Sequence, residues 1–134
     1  MIRTKIVSSL EKCFLDESID KFEELKSIST LKNERLFVQL LYTDDSEPVA
    51  GMRDPITRLT ASLSGSLASF ATMRTVGYVP VTMAAYYDVP DDNYLRTAPG
   101  VYPDVLLPLH YHGCITAQMG VTRSVWIEDR KSVV

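Results

Sequence analysis

Apolar and polar residues alternate along several short stretches of the chain, a pattern typical of β-strands. The clearest stretch is residues 57–64, where Leu59, Ala61 and Leu63 alternate with Arg, Thr and Ser. Because successive side chains of a strand point to opposite faces, this period of two predicts a half-buried antiparallel strand. The Gly-Ser pair that follows predicts a turn.

A second stretch, residues 34–42, contains a run from Leu36 to Tyr42 that is apolar at both odd and even positions apart from Gln39. A strand with two apolar faces is covered on both sides or lies centrally in its sheet. We therefore expect this stretch to form the core strand of the domain. Shorter apolar runs predict further strands at residues 3–9, 70–76, 78–85 and 121–128, and residues 110–117 could add a short one.

Residues 16–26 carry a different period. Ile19, Phe22 and Leu25 recur every third residue, which indicates one short helical stripe that Asp16 could cap. The stretch is too short and too charged to hold a helix by itself. We therefore predict a structured excursion between two strands.

Glycine and proline mark interruptions in the second half of the chain. Gly77 and Pro80 predict a β-bulge or an edge position between two neighbouring strands. Residues 86–108 contain four prolines and the acidic pair Asp91 and Asp92, and we predict a long irregular segment there. Loops of this length inside a compact domain are often functional.

Short strands joined by Gly, Pro and Asp turns predict an all-β fold, an antiparallel β-sandwich of the immunoglobulin or jelly-roll type. The 134 residues suffice for one domain. Such a sandwich needs about seven strands, and the pattern provides about six. We therefore expect the sandwich to be incomplete at its C-terminal end, with the last strand at an open edge.

Composition and charge exclude several classes of function. The net charge is −3, and no stripe of Lys and Arg interleaves with aromatic residues, so we predict no nucleic-acid partner. No apolar run approaches the roughly 20 residues of a membrane helix, and no membrane partner is predicted. The first residues lack the apolar region of a secretory signal, which favours a cytoplasmic location. Cys13 and Cys114 are predicted to be free, buried thiols.

Two groups of residues could bind a metal ion. His110, His112 and Cys114 share one face if they lie on a strand, and zinc accepts such ligands. Their spacing is unusually close for a zinc site, and partly buried strand residues are the simpler interpretation. Four loop aspartates could bind calcium, yet Asp beside Pro is ordinary turn chemistry; they are Asp88, Asp91, Asp92 and Asp104. We predict no metal site and no cofactor.

No arrangement of residues predicts an active site. The chain contains no Gly-x-Ser-x-Gly elbow, and its two histidines lie close together without an obvious orienting carboxylate. Glycosidases use two carboxylates about 5 to 10 Å apart, a geometry that sequence cannot show. We therefore assign no catalytic residue, and a complete small enzyme remains the least favoured of three interpretations.

Several strings resemble the N-terminal domain of glycoside hydrolase family 123 and of related uncharacterised bacterial proteins. The most specific string is Pro-Gly-Val-Tyr-Pro-Asp-Val-Leu-Leu-Pro-Leu at residues 99–109. The other matching strings occur in the same order as in the family; they are residues 8–17, 33–39, 76–81, 92–97 and 124–128.

The resemblance implies a β-sandwich that precedes a catalytic barrel acting on N-acetylgalactosaminides or related glycans. The acidic pair that performs the chemistry lies in that barrel, so no catalytic residue is carried over to this chain. We expect residues 1–128 to be a partial N-terminal domain that docks to its own catalytic barrel. Residues 129–134 resemble a translated sequencing adapter and are expected to be a non-native tail. Whether the parent protein is an active glycosidase stays open.

The long segment supplies the candidate site residues. We predict that an interface or substrate cleft includes six of them: Tyr94, Arg96, Tyr102, Asp104, Leu106 and Leu107. An exposed apolar patch of Val101, Leu106 and Leu107 would mark the docking surface. The tyrosines could instead stack on a sugar ring, which would make the chain a stand-alone carbohydrate-binding module, or they could close over one end of the sandwich; they are Tyr86, Tyr87, Tyr94 and Tyr102.

Overall fold

The structure, a computed structural model, describes residues 1–47, 50–51, 56–85, 93–109 and 111–130. These residues contain seven β-strands and two single-turn 3-10 segments. The strands are β1 (Ile2–Ser8), β2 (Leu36–Asp44), β3 (Ile56–Thr60), β4 (Ala71–Val81), β5 (Gly100–Pro108), β6 (Cys114–Gln118) and β7 (Arg123–Asp129). The 3-10 segments are Ile19–Lys21 and Tyr111–Gly113.

The strands form two antiparallel sheets. The large sheet has the order β1-β2-β7-β4-β5, and β3 pairs with β6 in a two-stranded sheet. The two sheets pack through one apolar cluster, in which Tyr42 and Val125 of the large sheet meet Ile115 and Ala117 of the small one. The predicted all-β, antiparallel, sandwich-like fold is confirmed.

The opposite face of the large sheet is covered by the segment that follows β1. Cys13, Ile19 and Phe22 of this segment pack on Val7 and Leu41, and all five side chains are at least 95% buried. Strand β2 is thus covered on both faces and lies between β1 and β7. This is the central position predicted for residues 34–42.

Within residues 16–26, the helical part is one 3-10 turn at Ile19–Lys21. Ser18 caps this turn by accepting a hydrogen bond from the amide of Asp20, so the prediction that Asp16 caps it is wrong. The segment is also bound to β1, since the amide of Leu25 donates to the carbonyl oxygen of Ile6 (2.8 Å). A backbone group that is satisfied by a neighbouring strand needs no partner within a helix.

Strand β4 is one long strand where two were predicted. It pairs with β7 over Ala71–Thr75 and with β5 as far as Val81. The register with β5 shifts at Gly77, which confirms the predicted bulge. Pro80 lies beyond the part of β4 that pairs with β7, so its missing N–H removes no hydrogen bond on that side.

Residues 100–108 are strand β5, and the prediction of an irregular segment through residue 108 is wrong for this part. The prolines of the stretch suggested a loop. They are compatible with a strand here because β5 lies at the edge of the large sheet, where one side of the backbone has no ladder partner. Residues 93–99 are irregular as predicted, and residues 86–92 lie outside the described residues.

Strand β7 is central, and the prediction of an open edge at the last strand is wrong. It pairs with β2 on one side and with β4 on the other. The mistake came from assuming that neighbours in sequence are neighbours in the sheet. Asp129 is the last residue of β7 and is buried, so the predicted boundary after residue 128 falls inside this strand.

A buried carboxylate joins three parts of the fold. Asp44, at the end of β2, accepts hydrogen bonds from the amide and hydroxyl of Ser46 and from the hydroxyl of Thr57. It also accepts one from the N-terminal ammonium of Met1 (3.1 Å). These donors, Ser46 foremost, hold the pKa of the Asp44 carboxyl well below its usual range.

We expect the fold to lose stability at acid pH partly through Asp44. A carboxyl whose pKa is lowered by folding stabilises the native state above its unfolded pKa of about 4, and this contribution disappears as the pH falls below that value. The urea concentration at the unfolding midpoint should therefore decrease as the pH is lowered from about 4 to about 2. In Asp44→Asn this midpoint should be lower at pH 7 and should decrease less steeply. If the midpoint decreases with pH equally in the wild type and in Asp44→Asn, the role assigned to Asp44 is contradicted.

Candidate functional site

Two adjacent clefts lie on the large sheet beside β5. The first, named the Trp126 cleft, has a volume of about 230 Å³ and is lined by Trp126, Gln39, Val76 and Leu106 among others. The second, named the Tyr94 cleft, has a volume of about 330 Å³ and is lined by Phe14, Val79, Tyr94, Arg96 and Tyr102 among others. The Trp126 cleft lies on the face of the large sheet opposite the β3–β6 sheet, since Gln39 and Trp126 alternate along β2 and β7 with Leu40 and Val125, which pack on that small sheet.

Three residues line both clefts: Lys12, Pro103 and Asp104. The Lys12 ammonium donates to the carbonyl oxygen of Pro103 (3.1 Å) and pairs with the Asp104 carboxylate (3.2 Å). Asp104 is the residue of β5 that the bulge leaves without a register partner. Both charged side chains are about half exposed or more, and such a pair contributes little to stability. The division between the clefts can therefore open at low cost.

One wall of the Tyr94 cleft is held by Arg96. Its guanidinium lies 3.8 Å from the centre of the Phe14 ring and makes two hydrogen bonds to the Asp16 carboxylate (3.2 and 2.9 Å). This hydrogen bonding lowers the pKa of Asp16. Stacking and paired hydrogen bonds together fix the guanidinium plane. Arg96 thereby fastens the irregular segment 93–99 to the segment after β1.

Tyr102 orders the same segment from β5. Its hydroxyl donates to the carbonyl oxygens of Arg96 (3.1 Å) and Ala98 (2.7 Å). Its ring meets Phe14 edge to face, with 5.2 Å between centroids. Tyr102 thus holds the segment 93–99 and Phe14 against β5. Tyr94, by contrast, is 39% exposed within its cleft.

The wall and floor of the Trp126 cleft come from two strands distant in sequence. Gln39 and Trp126 face each other across β2 and β7, and the Trp126 ring packs against Phe37 with centroids 5.7 Å apart. The Gln39 side-chain amide donates to the carbonyl oxygens of Ser8, Ser9 and Glu11, which holds the turn after β1 at the rim. The N–H donors of this buried side chain are thus used by the fold.

Cys13 also lines the Trp126 cleft but is not a nucleophile there. Burial, with a smaller effect of Glu17, raises the pKa of the Cys13 thiol to about 12. Since the thiolate is the reactive form, a thiol with this pKa is inert at neutral pH. Cys114 is half-buried, and both thiols are free.

The six predicted site residues are divided between two faces. Tyr94, Arg96, Tyr102 and Asp104 surround the Tyr94 cleft, and Asp104 reaches both clefts. Leu106 lines the Trp126 cleft. Leu107 points to the other face, towards the space above Gly77.

The three apolar residues predicted to mark the docking surface are exposed to solvent but do not form one patch, since Leu106 and Leu107 lie on different faces. Val101, Leu106 and Leu107 are 45%, 36% and 45% exposed. Sequence analysis missed Lys12, Gln39 and Trp126 as site residues. The strands predicted for residues 34–42 and 121–128 place Gln39 and Trp126 on definite faces, but the sequence does not reveal that the two strands pair.

The metal-binding candidates do not come together in the part of the chain that the structure describes. No group of three His, Cys, Asp or Glu residues is close enough there to hold an ion. The strand predicted for residues 110–117 begins at Cys114, and His112 is in a left-handed turn before it (φ 60°). His110, Asp88, Asp91 and Asp92 lie outside the described residues.

No helix within the described ranges is both long enough and apolar enough to span a membrane. Comparisons with known proteins add no relative: no protein-family model matches this chain, and no curated protein matches it significantly. The likeness to glycoside hydrolase family 123 therefore depends on the sequence strings quoted above.

Proposed function

We propose that this chain is a non-catalytic β-sandwich domain of a glycoside-hydrolase-like protein. In this proposal it packs against a catalytic barrel that acts on N-acetylgalactosaminides or related glycans. The family resemblance provides the class of partner. The observation that carries the docking role is the exposure of two large apolar side chains on edge strand β5, Val101 and Leu107, which line neither cleft.

The form of β5 favours docking through side chains rather than through added strands. Pro103 and Pro108 remove two backbone donors from the strand, and the bulge at Asp104 breaks its regular spacing. Natural proteins use proline and bulges to prevent strand addition at an edge. We assign the docking contact to the face of Leu107, because the face of Leu106 forms the wall of a cleft.

The test uses the chain and a purified catalytic barrel encoded by the same reading frame or by the adjoining gene. Calorimetry should detect a complex, and Leu107→Asp should weaken it about tenfold or more, since a charge would be buried in the contact. Leu106→Asp is the matched control and should weaken it less. A genomic sequence without any such barrel, or a barrel that does not bind, would contradict the proposal.

Catalysis by the chain itself would also contradict it. With p-nitrophenyl N-acetyl-β-galactosaminide, the chain should release nitrophenol no faster than the buffer. A stand-alone carbohydrate-binding module is the second candidate function, and the paired clefts are the observation that favours it.

A further inference from the structure

The charges around the two clefts balance. Among the residues that line the clefts, Lys12 and Arg96 are positive and Glu11 and Asp104 are negative. Arg96 is also paired with Asp16, which lies outside the lining, so both cations of the lining have an anionic partner. A lining without net charge attracts neither a phosphate-rich nor a cationic ligand. The clefts therefore suit a neutral ligand.

The lining also combines aromatic surface with exposed polar groups whose present ion pair a ligand can replace. Trp126 lies in one cleft and Tyr94 in the other, while Lys12 and Asp104 lie between them. Small-molecule sites are mostly apolar and contain a few placed polar groups. Lys12 supplies a donor and Asp104 an acceptor, and each is exposed enough to exchange its present partner for a ligand.

The dimensions indicate a ligand with two ring-sized parts. Small-molecule sites typically measure roughly 300–1,000 Å³, so the Tyr94 cleft is at the lower limit and the Trp126 cleft is below it. Each cleft accepts one small ring. A ligand that occupies both must cross the division formed by Lys12 and Asp104.

We infer that the two clefts form one binding site for a neutral disaccharide unit of a glycan, with one pyranose ring in each cleft. A pyranose presents C–H groups on its faces, which pack on aromatic rings, and hydroxyls at its rim that both donate and accept hydrogen bonds. Lys12 and Asp104 separate from each other and bind hydroxyls near the linkage. This inference deepens the second candidate function and does not depend on the docking proposal.

The single tryptophan of the chain gives a direct readout, because Trp126 lines the first cleft. The chain is titrated with three neutral disaccharides, namely a disaccharide of N-acetylgalactosamine, N-acetyllactosamine and chitobiose, and with their monosaccharides. At least one disaccharide should change the fluorescence saturably below about 10 mM and bind about tenfold or more tightly than its monosaccharide. No saturable change with any of the three would overturn the inference.

Two neighbouring leucines provide matched variants. Leu106→Ser and Lys12→Met should each weaken disaccharide binding about tenfold, whereas Leu107→Ser, which lines neither cleft, should leave it within about twofold. Binding that Leu106→Ser and Lys12→Met leave unchanged would place the ligand elsewhere and overturn the site. Tighter binding of a sulfated disaccharide than of the neutral disaccharides would overturn the inference that the ligand is neutral.

The experiments distinguish a failure of the docking proposal from a failure of the saccharide site. Disaccharide binding is measured on the chain without a partner, and docking is measured with the barrel and depends on Leu107. A chain that binds the barrel but no disaccharide would retain the docking role and lose the saccharide site.

Discussion

Replacing Gly113 by alanine should destabilise the fold by about 3 kcal/mol. Gly113 has a positive φ of 69°, where an L side chain is strained. A Cβ atom at this position would lie 2.2 Å from the carbonyl oxygen of Ala61, a backbone atom that cannot rotate away. The amide of Ala61 donates to the Gly113 carbonyl (2.9 Å), so relief of the clash would also strain this hydrogen bond between the β3 and β6 ends.

Gly120 offers a matched control, since it has the same φ of 69° but no atom within 4 Å of an added Cβ. Gly120→Ala should therefore cost about 1 kcal/mol, the left-handed penalty alone. Urea denaturation of the two variants measures the difference in free energy of unfolding. Equal losses would show that the approach of Ala61 to Gly113 has no energetic consequence.

Replacing Leu41 by alanine should also cost about 3 kcal/mol. The Leu41 side chain is fully buried in the cluster formed with Val7, Cys13, Ile19 and Phe22. Its removal would leave a cavity between β2 and the segment after β1, and the segment is tied to β1 by hydrogen bonds that limit its collapse. Lost apolar contact and residual cavity add in such substitutions.

Ile6→Ala is the control for Leu41→Ala, because Ile6 lies on β1 and is 43% exposed. It should cost less than about 1 kcal/mol, since the side chain already contacts water in the native state. Thermal and urea unfolding of both variants test the comparison. A similar loss for Ile6→Ala would mean that the burial of Leu41 does not set the cost of its removal.

Local sequence patterns predicted the strands whose burial follows from the spacing of their own apolar residues. Strand β2 was recognisable because its apolar residues occupy both faces, and it is covered on both. Strand β3 was recognisable because half-buried Thr57 and Leu59 alternate with exposed neighbours, although the strand ends at Thr60 rather than Ser64. In both, side-chain period and burial agree.

Features that depend on pairing between distant residues could not be predicted in this way. Pro103 and Pro108 argue against a strand unless β5 is known to lie at an edge. The clefts depend on the pairing of β2 with β7, which brings Gln39 next to Trp126. Lys12 joins the site through a side-chain contact with β5, and no local pattern indicates such a contact.

The central position of β7 has a consequence for the order of folding. Without residues 123–129, the β1–β2 pair and the β4–β5 pair share no ladder, because β7 is the strand that joins them. A ribosome must therefore synthesise all seven strands before the large sheet can assemble. Loop-closure entropy slows such long-range pairing, and we expect refolding in the range of milliseconds to seconds typical of β topologies. During that time the β1–β2 pair and the β4–β5 pair expose the strand edges with which β7 later pairs.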